Sequence, residues 1–86
     1  MASYEIRWAR SAERELRKLD PPVVPRVVDA VNELAADPRP RGCRKLQGAQ
    51  AGYRIRVGEH RIIYHVDDGE NRVTIAHVRH RDAAYR

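Results

Sequence analysis

This 86-residue sequence has one cysteine, no apolar run long enough to cross a membrane, and no acidic residue between Asp37 and Glu59. The single cysteine, Cys43, excludes an internal disulfide and indicates a reducing compartment. The N-terminus also lacks a long apolar run, so we expect no signal peptide and no membrane partner. These absences together favour a cytoplasmic protein.

Two kinds of cofactor site are missing as well. The cysteine and the histidines are not spaced as zinc ligands, and no glycine-rich loop suited to phosphate is present. We therefore expect no metal and no cofactor. The length predicts one small domain spanning residues 1–86, which is only marginally stable alone or is stabilised by a partner.

Positive charge is what the sequence has in excess. The formal net charge is +5, and the acid-free segment contains six basic residues: Arg39, Arg41, Arg44, Lys45, Arg54 and Arg56. Arginine outnumbers lysine fifteen to two, a bias that genome composition alone can produce. The clustering is more informative, and it favours a polyanionic partner, with nucleic acid first.

The apolar residues predict a sequence of strands and helices. Residues 3–8 alternate as a strand does, and Ser11 is placed to cap a helix that runs to about Leu19. A second helix follows with Pro25 in its first turn and ends before Pro38. After a polar connection come strands at 53–57, 60–64 and about 72–79. This order, β-α-α-β-β-β, predicts an α+β fold with a helical hairpin packed on a mainly antiparallel four-stranded sheet.

The segment from Tyr53 to Tyr64 reads as a hairpin with arginines on one face. Its apolar residues alternate with arginines, and Gly58 suits the first central position of a two-residue turn. That turn places Arg56 opposite Arg61, and like charges at opposite positions destabilise a sheet. Either phosphate binds between the two guanidinium groups, or both side chains are solvated and splay apart.

The face opposite the helices should therefore carry Arg54, Arg56 and Arg61. Arg79 lies on that face in one register of the last strand and turns away in the next. The sequence pattern leaves both registers open.

The ordered combination of these elements, with Val78-Arg79-His80-Arg81 and Tyr85 near the end, resembles the RelE/ParE toxin superfamily on its RelE side. The resemblance covers nearly the whole chain. It implies a toxin of a type II toxin–antitoxin system, silenced by a RelB-like antitoxin. It also implies an enzyme, a metal-independent endoribonuclease that cuts mRNA in the A site of the ribosome and so arrests translation.

The resemblance also implies site residues. Its basic positions correspond to Arg54, Arg56 and Arg61, followed by either Arg79 or Arg81, and its near-terminal tyrosine to Tyr85. We assign Arg56 and Arg61 to the phosphate, because arginine stabilises developing charge but transfers protons poorly. Tyr85 is the candidate base, since nearby guanidinium groups favour the phenolate. The remaining assignment is RNA binding, by Arg44, Lys45 and Arg54.

The general acid is left open. We interpret the four histidines as ordinary sheet and turn residues, with His80 as the exception most worth testing because it adjoins the arginines.

Two other functions fit the same pattern. A ParE-like toxin that inhibits DNA gyrase would share the fold without needing the arginine site. A binding module without catalysis would use the basic face only as an electrostatic footprint. All three functions predict a cognate antitoxin whose toxin-binding segment is acidic and folds on contact.

Overall fold

The computed structural model describes residues 3–47 and 52–81. Its elements, in chain order, are β1 (Glu5–Trp8), α1 (Arg10–Arg17), α2 (Val23–Glu33), β2 (Arg44–Lys45), β3 (Gly52–Val57), β4 (His60–Asp67) and β5 (Arg72–His80). Two helices between a first strand and a run of later strands confirm the predicted α+β fold. No helix within the described ranges is both long and apolar enough to cross a membrane.

The five strands form one sheet in the order β1-β5-β4-β3-β2. β1 runs parallel to β5, and the other neighbours are antiparallel. The sequence predicted four strands and missed β2, whose two residues pair with Arg54 and Tyr53 at the sheet edge. A strand of two residues has no room for the alternation that identifies longer strands.

The hairpin register is as predicted. Val57 pairs with His60, Arg56 with Arg61, and Ile55 with Ile62. Gly58 has a φ of +59°, a conformation that glycine adopts without steric penalty. The turn chemistry therefore fixes which residues face each other across the two central strands.

The core lies between the sheet and the helices. Fully buried apolar side chains from β4 and β5 meet α2 there, and the largest of them is Tyr64. The members of this core are Ala12, Val27, Val31, Leu34, Ile55, Ile62, Tyr64, Val73, Ile75 and Val78. Because side chains alternate along each strand, the residues between these core positions are left for the opposite, open face of the sheet.

The first helix differs from the prediction at both ends. Ala9 is the N-cap and makes no side-chain cap hydrogen bond, and the helix ends at Arg17 rather than Leu19. Ser11 does not cap the helix, because its Oγ donates to the backbone oxygen of Ala76 at 2.7 Å instead. A contact with a strand more than 60 residues away thus replaces the local cap.

A bulge in β5 decides which way the end of that strand faces. Ile63 pairs with His77 and Tyr64 pairs with Ile75, so Ala76 is an extra residue opposite β4. Without that residue, Arg79 would share the face of the buried Ile75. The bulge moves Val78 into the core, where it is 2% exposed, and Arg79 to the open face.

Candidate nucleic-acid interface

Three arginines lie side by side on the open face of the sheet. Arg61 of β4 pairs with Arg56 of β3 on one side and with Arg79 of β5 on the other. Directly opposite residues of an antiparallel pair have Cβ atoms about 4.5–5.5 Å apart. We call Arg56, Arg61 and Arg79 the arginine row.

The central residue of the row is less exposed than the two outer ones. Arg61, at its centre, is 7% exposed, whereas Arg56 is an exposed residue and the Arg79 side chain is 37% exposed. Low exposure strengthens electrostatic interactions, because less water screens the charge. A multiply charged anion placed over the row would therefore meet one shielded guanidinium and two more accessible ones.

A second row lies one step further along the sheet. Arg44 of β2 pairs with Arg54, which pairs with Ile63, and Ile63 pairs with His77. Arg44 and Arg54 thus extend the positive charge from the arginine row towards the β2 edge. Lys45, by contrast, pairs with Tyr53 and so lies on the helix-facing side of β2. The sheet does not bring Lys45 to the arginines on the open face.

Arg81 lies just beyond the end of β5. Its backbone nitrogen donates to the backbone oxygen of Glu59 at 2.8 Å, and its Nε lies 3.3 Å from the side-chain Oε2 of Glu59. The Arg81 side chain is 61% exposed and sits beside the hairpin turn. Arg79 is therefore the arginine that β5 places within the row. Tyr85 lies outside the described residues.

The strand geometry separates the histidines. His60 and His80 pair with each other on the helix-facing side, with ring centroids 5.4 Å apart. Burial, followed by the charge of His80, lowers the pKa of His60. His80 thus faces away from the arginine row. The sequence analysis gave His80 as the exception among the histidines because it adjoins the arginines, but neighbours along a strand point to opposite faces.

Glu15 of α1 contacts the arginine row from the side, and the sequence analysis did not single it out. Its Oε2 accepts a hydrogen bond from Arg79 Nε at 3.2 Å, and its Oε1 accepts one from the Val78 backbone nitrogen at 3.1 Å. His77 Nδ1 lies 3.2 Å from the same Oε1. Burial raises the pKa of Glu15, but the hydrogen bonds from Val78, Arg79 and His77 together outweigh it and lower the pKa.

The described part of the chain contains no group of three or more histidine, cysteine, aspartate or glutamate residues arranged to hold a metal ion. It does present a set of guanidinium groups on neighbouring strands of one sheet. Such groups bind phosphate through paired hydrogen bonds and stabilise charge that develops on its oxygens. The arrangement suits a phosphodiester ligand.

Comparison with known proteins gives consistent matches. The family model for the ParE toxin of the type II toxin–antitoxin system parDE matches residues 6–85. Toxin RelG of Mycobacterium tuberculosis is 35% identical over 85 residues, covering 96% of this chain and 97% of the relative. Toxin RelE of the same organism is 30% identical over 84 residues, covering 96% and 87%. A chain of the toxin–antitoxin complex RelBE2 from M. tuberculosis superposes with a TM-score of 0.81 at 34% identity, over 94% of each chain.

Proposed function

Because the chain belongs to the RelE/ParE superfamily of type II toxin–antitoxin toxins, we propose that it is an endoribonuclease that cuts mRNA in the ribosomal A site. The reaction uses no metal, takes place in the cytoplasm, and arrests translation. The substrate is a phosphodiester of ribosome-bound RNA, and the catalytic groups come from the open face of the sheet.

The arginine row is the observation that carries this proposal. A sheet that places three like charges at consecutive cross-strand positions loses stability relative to a neutral row. A phosphate bound over the row offsets that repulsion, as the Glu15 carboxylate already does at Arg79. Arg61 lies at the centre of the row and is only 7% exposed, so water screens its charge little.

Metal-free cleavage of RNA has three chemical requirements. The 2′-hydroxyl loses a proton, the crowded phosphorane has its extra charge stabilised, and the leaving 5′-oxygen is stabilised or protonated. Arg56 and Arg61 meet the second requirement, because they hold fixed positive charge where the phosphorane forms. Arg79, at the other end of the row, stabilises the leaving oxygen, whereas Arg81 at the hairpin turn has a peripheral role.

Proton transfer requires groups other than arginine, whose pKa stays above about 12. We propose that Tyr85 is the base that takes the 2′-hydroxyl proton. Arg44 and Arg54 position the RNA strand on either side of the cleaved bond. Lys45 contacts RNA only where the strand passes around the β2 edge. The ribosome supplies most of the substrate alignment, since this small surface offers few aromatic side chains for base stacking.

A cognate antitoxin is the second partner that we propose. The structural neighbours include toxin–antitoxin complexes from M. tuberculosis and Escherichia coli. The outer surface of the helical hairpin has an apolar groove of about 460 Å³, lined in part by Leu16, Leu19, Pro21 and Val24. An antitoxin helix with an apolar face fits such a groove, and an acidic composition suits a toxin with a net charge of +5.

Primer extension on a reporter mRNA in a purified translation system, stalled with an empty A site, tests the nuclease. We expect discrete cuts within A-site codons with the unmodified protein. Arg56→Ala and Arg61→Ala should each reduce cutting by about 100-fold or more, the usual loss when one group that stabilises the transition state is removed. Arg56 is exposed, so its removal leaves the core intact and keeps the test valid if Arg61→Ala unfolds.

Arg17→Ala is the matched control, because this arginine lies on α1 with a side chain that is 79% exposed. Folded Arg56 and Arg61 variants that cut at the unmodified rate would remove both residues from the mechanism. Intact mRNA with the unmodified protein would overturn the nuclease proposal. The ParE-like alternative would then be tested on gyrase, and toxin induction should trigger the DNA-damage response.

A further inference from the structure

The first helix packs against a part of the β5 edge that has no strand partner among the described residues. Within the described residues, β1 pairs with β5 only at positions 72–75. Beyond that point, side chains of α1 bind the β5 backbone. Ser11 Oγ donates to the backbone oxygen of Ala76, and Glu15 Oε1 accepts from the backbone nitrogen of Val78. Ser11 and Glu15 are one helical turn apart, so they hold the β5 backbone at the bulge and immediately after it.

The contacts of Ser11 and Glu15 with β5 lie at the bulge that determines which face of the sheet Arg79 points to. The extra residue Ala76 shifts the alternation of β5, which places Val78 in the core and Arg79 on the open face. Bulges often re-aim a side chain next to a functional site. Because Glu15 binds the backbone at Val78, it stabilises the one arrangement of the strand that puts Arg79 in the arginine row.

The second carboxylate oxygen acts on Arg79 itself. Glu15 Oε2 accepts the hydrogen bond from Arg79 Nε at 3.2 Å. Within the described ranges, the hydrogen bond and the ion pair between Arg79 and Glu15 both involve Nε, which leaves the two terminal nitrogens of the guanidinium for a phosphate. A guanidinium fixed at Nε loses rotational freedom while it keeps the two nitrogens that bind phosphate oxygens in parallel.

We infer that Glu15 is a positioning residue of the proposed site, which aims Arg79 at the scissile phosphate by fixing both its guanidinium and its strand. This inference rests on the proposed nuclease function. The alternative is that Glu15 only docks α1 against the sheet. In that case its removal would lower stability and would affect the reaction equally whether or not Arg79 is present.

Glu15→Gln is the informative substitution. The amide keeps the size of the side chain and one oxygen for the Val78 nitrogen, but it places an N–H donor against Arg79 Nε. Glu13→Gln is the matched control, because it makes the same charge change on the same helix. Glu13 is 49% exposed and lies 3.9 Å from Arg17, away from β5.

Single-turnover cleavage of ribosome-bound mRNA should slow by about 10- to 100-fold in Glu15→Gln, since displacement of a catalytic group by about 1 Å has effects of that order. Ribosome affinity and the activity of Glu13→Gln should be unchanged. In an Arg79→Ala background, Glu15→Gln should change the rate by less than about twofold, because the group that it positions is gone. Thermal unfolding of each variant checks that it is folded.

A second readout is independent of the ribosome. The Nε–H of Arg79 should give a distinct, slowly exchanging ¹⁵N NMR signal in the unmodified protein, and Glu15→Gln should shift it and speed its exchange. An unchanged signal would overturn the inference, as would equal rate losses with and without Arg79. If the unmodified protein leaves mRNA intact, the proposed function fails and the inference fails with it. Cutting by the unmodified protein with no loss in Glu15→Gln defeats the inference alone.

Discussion

Tyr64 connects the fold to the proposed RNA-binding surface, and removal of its hydroxyl tests that connection. Tyr64 is fully buried in β4, and its hydroxyl donates to the backbone oxygen of Pro38 at 2.8 Å. Burial, followed by the neighbouring Cys43, raises the pKa of Tyr64 above its ordinary value, so the hydroxyl stays protonated and keeps donating. Pro38 is itself buried and begins the segment that leads to β2.

Tyr64→Phe removes one oxygen atom and leaves the Pro38 carbonyl buried without its donor. An unsatisfied buried polar group costs about 1–3 kcal/mol. A loss of about 2 kcal/mol should lower Tm by about 8–16 °C in a domain of this size. The segment between Pro38 and β2 should also exchange its amide hydrogens faster, because the hydroxyl anchors it to the sheet.

Tyr53→Phe is the matched control. Tyr53 stacks on Tyr64 with ring centroids 5.8 Å apart, and its hydroxyl accepts from Arg39 Nε at 3.0 Å on the exposed surface. Loss of an exposed hydrogen bond should change stability by less than about 0.5 kcal/mol. Urea denaturation of the three proteins supplies the comparison. Equal stabilities for Tyr64→Phe and the unmodified protein, or equal losses in the two variants, would refute the reasoning.

The histidine pair and the arginine row give the remaining predictions. The folded-state pKa of His60 is depressed, so this residue contributes stability above its unfolded pKa of about 6.5 and that contribution is lost as pH falls through the folded pKa. His60→Gln should flatten this acid-side decline in urea denaturation, and an unchanged pH profile would contradict the assignment. Binding of single-stranded RNA should weaken with salt, and Arg56→Ala should reduce the slope of log K against log salt by about 0.7. Arg17→Ala should leave the slope unchanged, and equal slopes for the two variants would show that Arg56 contacts no phosphate.

The hairpin shows what sequence can predict about this fold. The alternation from Tyr53 onwards and the glycine at position 58 together fixed the pairing of Arg56 with Arg61, and the structure has that pairing. Both signals are local, because alternation and turn chemistry depend on residues close together in the chain. The segregation of helices from most of the strands followed from the same kind of pattern.

The end of β5 shows what local patterns miss. The position of Arg79 depends on one extra residue, Ala76, and on contacts with α1 that span more than 60 residues. In sequence, Ser11 looks like a helix cap and Glu15 like a polar position on a helix surface. Nothing near them indicates that their partners are backbone groups of a distant strand edge. The signal that was available is their spacing of four, which places both on one side of α1.

The positions of the three arginines are fixed by buried apolar residues that adjoin them in each strand. We call these apolar residues the apolar row. Each arginine follows or precedes a core residue: Arg56 adjoins Ile55, Arg61 adjoins Ile62, and Arg79 adjoins Val78. Ile55 pairs with Ile62 and Ile62 pairs with Val78, and all three are buried.

The packing that fixes this apolar row against the helices therefore also fixes the backbone that carries the arginines. Like charges side by side tend to separate, and here the buried row on the other face of the sheet opposes that tendency. Folding itself therefore holds the guanidinium groups together, so the proposed binding of a phosphate would need little rearrangement of the sheet.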